Sequence, residues 1–177
     1  MTHAELVIHA ERWLQRQGCG VTIRDPFSAH TINGEKPDAI GWRDGLSILI
    51  ECKASRADFH ADKAKKFRAT PSAGMGDWRF YMCPPDIIRV EDLPEGWGLL
   101  WATPKTVRKV HGVPGNCGWW HNKPFEPCKR SESMMLVSAL RRLSIRGHLP
   151  QIYEGIPAPS NAGIKAADLA QAKDVAP

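Results

Sequence analysis

Asp38, Glu51 and Lys53 are two carboxylates and an amine within the stretch Pro-Asp-Ala-Ile-Gly-Trp-Arg-Asp-Gly-Leu-Ser-Ile-Leu-Ile-Glu-Cys-Lys, residues 37–53. The combination suits metal-assisted hydrolysis of a phosphodiester. A hard divalent cation takes oxygen ligands and keeps water in its remaining positions. Asp38, Glu51 and the backbone carbonyl of Cys52 therefore form a ligand set for Mg²⁺, with Mn²⁺ able to substitute, and Lys53 would stand beside the attacking water.

These residues need a pair of adjacent strands to meet. Leu46 to Ile50 is a β-rich apolar run that delivers Glu51 and Lys53 to one side of a strand, because side chains alternate with period two, and Cys52 must point to the other. Asp44-Gly45 is a hairpin-turn signal between residues 38–43 and 46–54. Asp38 has an alternative reading as a turn residue after Pro37, but Ala39-Ile40 follow directly, and a carboxylate at the edge of a buried strand is costly unless paired or metal-bound. For Glu51 and Lys53 the plainer alternative is a buried ion pair, which contributes little net stability. A metal site accounts for all three residues at once.

The remaining elements follow from local signals. Thr2 and Glu5 form a capping-box pattern before an apolar stripe of Leu6, Val7, Ala10, Trp13 and Leu14, predicting a helix over about 3–17. Val21 to Arg24 reads as a strand and 25–35 as an irregular connection. Ser55, with Asp58 three residues on, caps a second helix running to about Arg68. Residues 70–76 form a loop around Met75, either a mobile cover or a plain connector. Trp78 to Cys83 is a strand stopped by Pro84-Pro85, Trp97 to Ala102 and Thr106 to Val110 are a further strand pair, and 112–129 is a long loop. Met134 to Ile145 is an amphipathic helix ended by Gly147. The order gives an α/β fold with a central mixed β-sheet flanked by helices. One domain over 1–149 is expected, with 150–177 as a partly flexible tail.

Charge is uneven along the chain. Residues 1–51 carry 5 basic and 7 acidic side chains, 52–80 carry 7 and 3, and 105–148 carry 9 and 2. Positive charge that follows the candidate site suits a polyanion such as DNA, although a solvated basic surface reads the same way. Arg56, Lys63, Lys65, Lys66 and Arg68 cluster directly after the Glu-Cys-Lys segment, where they can hold backbone phosphates. Trp119-Trp120 either stacks on unpaired bases or anchors its loop to the core. Five scattered cysteines read as reduced thiols. His111, Cys117, His121 and Cys128 lie close in sequence, but their spacing matches no common zinc finger, and ordinary loop residues are the expectation. With no apolar run of membrane-spanning length and no signal-peptide pattern, no membrane partner is expected and the cytoplasm is the expected compartment.

Pro37-Asp38 followed by Glu51-Cys52-Lys53 resembles the signature of the PD-(D/E)XK nuclease superfamily. Glu51-Cys52-Lys53-Ala54-Ser55-Arg56-Ala57-Asp58-Phe59 is similar to a segment of the phage and bacterial branch related to Holliday-junction resolvases and MmcB-type DNA-repair proteins. The resemblance covers roughly residues 3–110. It implies a restriction-endonuclease-like core and a Mg²⁺-dependent DNA endonuclease of recombination, repair or genome processing in a phage or its bacterial host, without a small-molecule cofactor. It also implies a first-helix glutamate as a further metal ligand, Glu5 ahead of Glu11, with Asp25 and Glu35 farther out. Junction-cutting relatives imply a homodimer. Two other classes stay open: a DNA-binding protein that keeps the nuclease fold without cleaving, and a phage protein that inhibits a host nucleic-acid enzyme.

Overall fold

Thr2 opens the first helix as its sequence predicts. Its hydroxyl accepts from the Glu5 amide at 3.3 Å while the Glu5 carboxylate accepts from the Thr2 amide at 2.7 Å, satisfying two of the amides a helix start leaves without partners. The structure is a computed structural model and describes residues 1–32, 34–63 and 70–155. Helix α1 (His3–Arg16) buries Leu6, Val7, Ala10, Trp13 and Leu14.

Six strands follow: β1 (Val21–Arg24), β2 (Ala39–Arg43), β3 (Leu46–Cys52), β4 (Trp78–Cys83), β5 (Gly98–Ala102) and β6 (Val107–His111), arranged in one sheet in sequence order. β1 pairs antiparallel with β2 and β2 with β3; β3, β4 and β5 are mutually parallel, and β6 returns antiparallel to β5. The chain is thus an α/β fold with a mixed sheet. Asp44 and Gly45 sit at φ 43° and 80°, the left-handed pair that a two-residue hairpin needs for its twist to match the flanking strands. A parallel connection needs a crossover, and α2 (Arg56–Lys63) lies in the one from β3 to β4. The Asp58 amide donates to Ser55 Oγ at 3.2 Å, and the Ala54 amide donates to Asp58 at 3.3 Å, so the predicted Ser55 cap forms.

Both faces of the sheet are covered. One face packs Ile48, Ile50, Cys52, Phe80 and Met82 beneath α1. The other packs Leu49, Tyr81, Cys83 and Leu99 with Phe59 of α2. At Gly41 a Cβ would fall 2.8 Å from Cys19 Sγ and 3.3 Å from Leu14 Cβ, so only glycine lets the end of α1 lie directly on β2. Every residue of β3 and β4 is buried, as expected of strands covered on both faces.

The last helix departs from expectation. α3 spans Lys129–Ile145 and starts before the predicted Met134, because polar residues of its first turns are buried. Glu132 accepts from Ser47 Oγ (2.7 Å), the Gly76 amide (3.0 Å), Trp42 Nε1 (3.2 Å) and Lys129 Nζ (3.1 Å). Lys129 also reaches Asp77 and Ser47, and Lys123 reaches the other Asp77 oxygen at 3.1 Å. Burial pushes the Asp77 carboxyl up, but the Lys129, Ser47 and Lys123 hydrogen bonds outweigh it and hold it below its ordinary value. Met135 is buried in the same helix, whereas the apolar residues Val137, Leu140, Leu143 and Ile145 are exposed, so the amphipathic reading holds only at the start of α3. Glu132→Ala removes the acceptor of the Gly76 amide and Trp42 Nε1, while Ser47 Oγ and Lys129 Nζ keep Asp77. It should destabilise the fold by about 3 kcal/mol, seen as a lower urea midpoint at unchanged slope; an unchanged midpoint would show that the cluster does not hold α3 to the sheet.

The chain divides into two compact units, 1–139 and 140–177, the first of which carries the sheet. Over its described residues, the second unit holds the end of α3, Gly147 at φ 76° and a 3₁₀ turn at Leu149–Tyr153. The expected tail beyond 155 lies outside the described residues. Among the described residues, no helix is long and apolar enough to cross a membrane.

Candidate active site

Pairing of β2 with β3 brings the two carboxylates together. Ala39 pairs with Ile50 and Ile40 with Leu49, and one further step of the same register sets Asp38 opposite Glu51. Strand alternation sends Ile40 and Leu49 to the α2 side, together with Asp38, Glu51 and Lys53, and sends Ala39, Ile50 and Cys52 to the α1 side. Asp38 Oδ2 accepts from the Cys52 amide at 2.7 Å, which ties the carboxylate to the end of β3.

Lys53 completes the group from below. Its Nζ lies 3.2 Å from Glu51 Oε2 and 3.2 Å from Asp62 Oδ1, near the end of α2. The second Asp62 oxygen accepts from the Tyr81 hydroxyl at 2.9 Å. Glu51 and Lys53 side chains are 2% and 4% exposed, whereas Asp38 keeps 17%, so solvent meets the group through Asp38. There His3 Nε2 approaches Asp38 Oδ1 at 3.4 Å.

The electrostatics are those of crowded negative charge. Burial and the neighbouring Glu51 carboxylate push Asp38 up to about 6, against the opposing pull of the Cys52 amide, Lys53 and His3. Burial pulls Lys53 down, but Glu51, Asp62 and Asp38 more than reverse it, so the ammonium is held above its ordinary value. Burial, reinforced by Asp38 and Glu51, pushes the Cys52 thiol well up, leaving only its backbone available to the site. Two carboxylates, Glu51 and Asp62, thus contact one ammonium, and Asp38 acts on it by charge alone. An all-oxygen set with surplus negative charge fits a hard divalent cation.

A raised carboxyl has a consequence for stability. Because Asp38 titrates higher folded than unfolded, the native state holds the extra proton between about pH 4 and 6. Metal-free stability conferred at this position therefore falls as pH rises through that window, by roughly 2–3 kcal/mol. In EDTA, the stability difference between wild type and Asp38→Asn should shift in favour of the variant from pH 4 to 7. A pH-independent difference in urea titrations would show that Asp38 is not held up.

Other expected site residues are placed elsewhere. Glu5 is exposed and its carboxylate serves the Thr2 cap, while Glu11 pairs with Arg24 at 2.8 Å. Glu35 is buried and accepts from the Met75 amide at 2.6 Å, and the Asp25 amide donates to the Asp38 carbonyl at 2.9 Å. Met75 is itself buried, which makes its loop an anchored connector. Arg56 forks onto Asp92 at 2.7 and 2.8 Å and reaches the Ile87 carbonyl, so its guanidinium is engaged within the fold. Lys63 ends α2, and Lys65, Lys66 and Arg68 lie outside the described residues. Trp119 is buried against Trp13, Trp78 and Phe80, the anchoring role. Among the described residues, no three His, Cys, Asp or Glu side chains gather as a metal cluster, which applies both to the His111, Cys117, His121 and Cys128 stretch and to Glu5 beside the central pair.

Asp62, Tyr81 and His3 join the group without any expectation from the sequence. Asp62 has a local signal, since it stands three residues after Phe59 and so shares the buried face of α2. Tyr81 and His3 carry none, because their partners lie far away in sequence.

No protein-family model matches the chain, and no curated protein matches it. Among solved structures it is similar to SPO1766, a protein of unknown function from Silicibacter pomeroyi, with a TM-score of 0.57 and 23% identity over 89% of this chain and 98% of that one. The likeness concerns the fold.

Proposed function

We propose that this chain is a divalent-metal-dependent endonuclease that hydrolyses DNA phosphodiesters, in phage or bacterial recombination, repair or DNA processing. The observation that carries the reading is the placement of Asp38 one step beyond the β2–β3 pairing, beside Glu51 and on the same face as Lys53, with burial and that neighbour pushing Asp38 up to about 6. Two carboxylates placed to repel one another gain most from a cation between them. Asp38, Glu51 and the Cys52 carbonyl would hold Mg²⁺ or Mn²⁺, which when bound supplies an activated water and charge neutralisation at the phosphate.

The chain's own residues do the rest. Asp38 faces solvent and presents its carboxylate to an incoming backbone, with the Cys52 amide fixing its orientation. The Lys53 ammonium, whose charge Glu51, Asp62 and Asp38 favour against burial, would donate to a phosphate oxygen as negative charge builds there. The basic segment after β3 supplies non-specific attraction for the phosphate backbone. With Arg56 engaged by Asp92, that role is assigned to Lys63, Lys65, Lys66 and Arg68. Homodimerisation belongs to the same reading, through branched DNA as substrate.

A cleavage panel of supercoiled plasmid, duplex, single-stranded and four-way-junction DNA with Mg²⁺, Mn²⁺ or EDTA tests it. Metal-dependent cutting of any of these is the expected result; no cutting with either metal defeats the reading. The second reading, DNA binding without cleavage, is favoured by the near-complete burial of Glu51 and Lys53 and by the ion pairs that Lys53 makes with Glu51 and Asp62. A salt-sensitive gel shift with intact DNA would support it.

A further inference from the structure

We infer that Asp62, fixed by the Tyr81 hydroxyl, is the positioning residue that holds the Lys53 ammonium in place independently of Glu51. The inference rests on the nuclease reading above and assigns to it two residues outside the Asp38, Glu51 and Lys53 set.

Asp62 lies on the sheet-facing side of α2 and its side chain is fully buried. A lone carboxylate there would be strongly unfavourable, and among the described residues this one reaches Lys53 through Oδ1 at 3.2 Å and the Tyr81 hydroxyl through Oδ2 at 2.9 Å. Tyr81 is in turn fixed. It pairs with Glu51 across β3 and β4, stacks on Trp97 at 4.4 Å between ring centroids, and meets Phe59 edge-on at 5.0 Å. The chain of support thus runs from a packed aromatic group, through a hydroxyl and a carboxylate, to the ammonium.

The arrangement answers a conflict within the site. Lys53 and a metal ion both draw on the Glu51 carboxylate. If Glu51 were the sole anchor, engaging a metal would weaken the hold on Lys53 when the ammonium is needed. Asp62 sits on the α2 side and supplies a second anchor of equal length, so Lys53 stays placed while Glu51 is shared. One of the three ammonium donors then remains for a substrate oxygen after both carboxylates are served.

The test compares wild type, Asp62→Asn, Asp62→Glu, Tyr81→Phe and the Asp62→Asn/Tyr81→Phe double variant, by single-turnover DNA cleavage and by melting in EDTA with and without Lys53→Met. Asp62→Asn should lower kcat by about tenfold or more at unchanged KM, because the lost placement matters mainly in the transition state. Asp62→Glu should recover part of that loss. Tyr81→Phe should lose less, and the double variant no more than Asp62→Asn, since Tyr81 acts through Asp62. In EDTA, the melting-temperature losses of Asp62→Asn and Lys53→Met should be strongly non-additive. Folded Asp62→Asn that cuts at the wild-type kcat, or additive melting losses, overturns the inference while the nuclease reading stands. A wild type that cuts nothing with Mg²⁺ or Mn²⁺ overturns the nuclease reading, and the catalytic consequence of the anchor goes with it.

Discussion

Glu51→Gln and Asp38→Asn should each lower metal-dependent DNA cleavage by about a thousandfold or more, with the fold intact. Both changes keep side-chain volume and remove a charged oxygen donor. Asn at 38 can still accept from the Cys52 amide through its carbonyl oxygen, so the end of β3 remains tied. Gln at 51 leaves Lys53 paired with Asp62, so the buried ammonium keeps an anion. DNA affinity should hold or rise, because a negative charge is removed from a surface that meets phosphates. Titration calorimetry with Mn²⁺ supplies the second readout: binding should weaken in both variants, and undiminished binding would remove Asp38 and Glu51 as ligands.

Lys53→Met should lower turnover by about a hundredfold or more with DNA affinity little changed, because the ammonium acts mainly on charge that develops in the transition state. It should also destabilise the metal-free protein by about 3–5 kcal/mol, since Glu51 and Asp62 are left buried without their cation. Methionine keeps most of the stem's packing, so the loss reports charge rather than volume. Saturating Mg²⁺ should return part of the stability, as positive charge re-enters among the carboxylates, but not the turnover. A destabilised variant that cuts at the wild-type rate in Mg²⁺ would reduce Lys53 to a structural ion pair.

Features written in a few consecutive residues are legible in the sequence. The Thr2 and Glu5 box, the Ser55 cap with Asp58 and the Asp44-Gly45 turn are each set by groups within three positions of one another, and each forms. The facing of Asp38, Glu51 and Lys53 follows from strand periodicity and a tight hairpin, which together fix register. What stays hidden depends on partners distant along the chain. Glu132 stands ahead of the predicted Met134 helix start and carries no local signal of the contacts that Ser47 and Gly76 make with it. Arg56 reads as a phosphate contact until Asp92 takes its guanidinium. In α3, Met135 is buried with Ser131 and Glu132 while Val137, Leu140, Leu143 and Ile145 are exposed, since periodicity reports which residues share a face and not which face is covered.

The burial of β3 along its whole length bears on how a ligand would be received. With α1 packed beneath it, α2 above it and a paired strand on either edge, the backbone that carries Glu51 and the Cys52 carbonyl has no slack to take up. On the proposed reading, the conformational entropy of assembling the ligand set would be spent during folding, so binding there would be governed by the dehydration of the ion and the relief of repulsion between the carboxylates. Discrimination among cations then becomes a matter of whether an ion's preferred radius suits a frame that does not adjust, which favours ions of strict geometry over those that tolerate irregular shells.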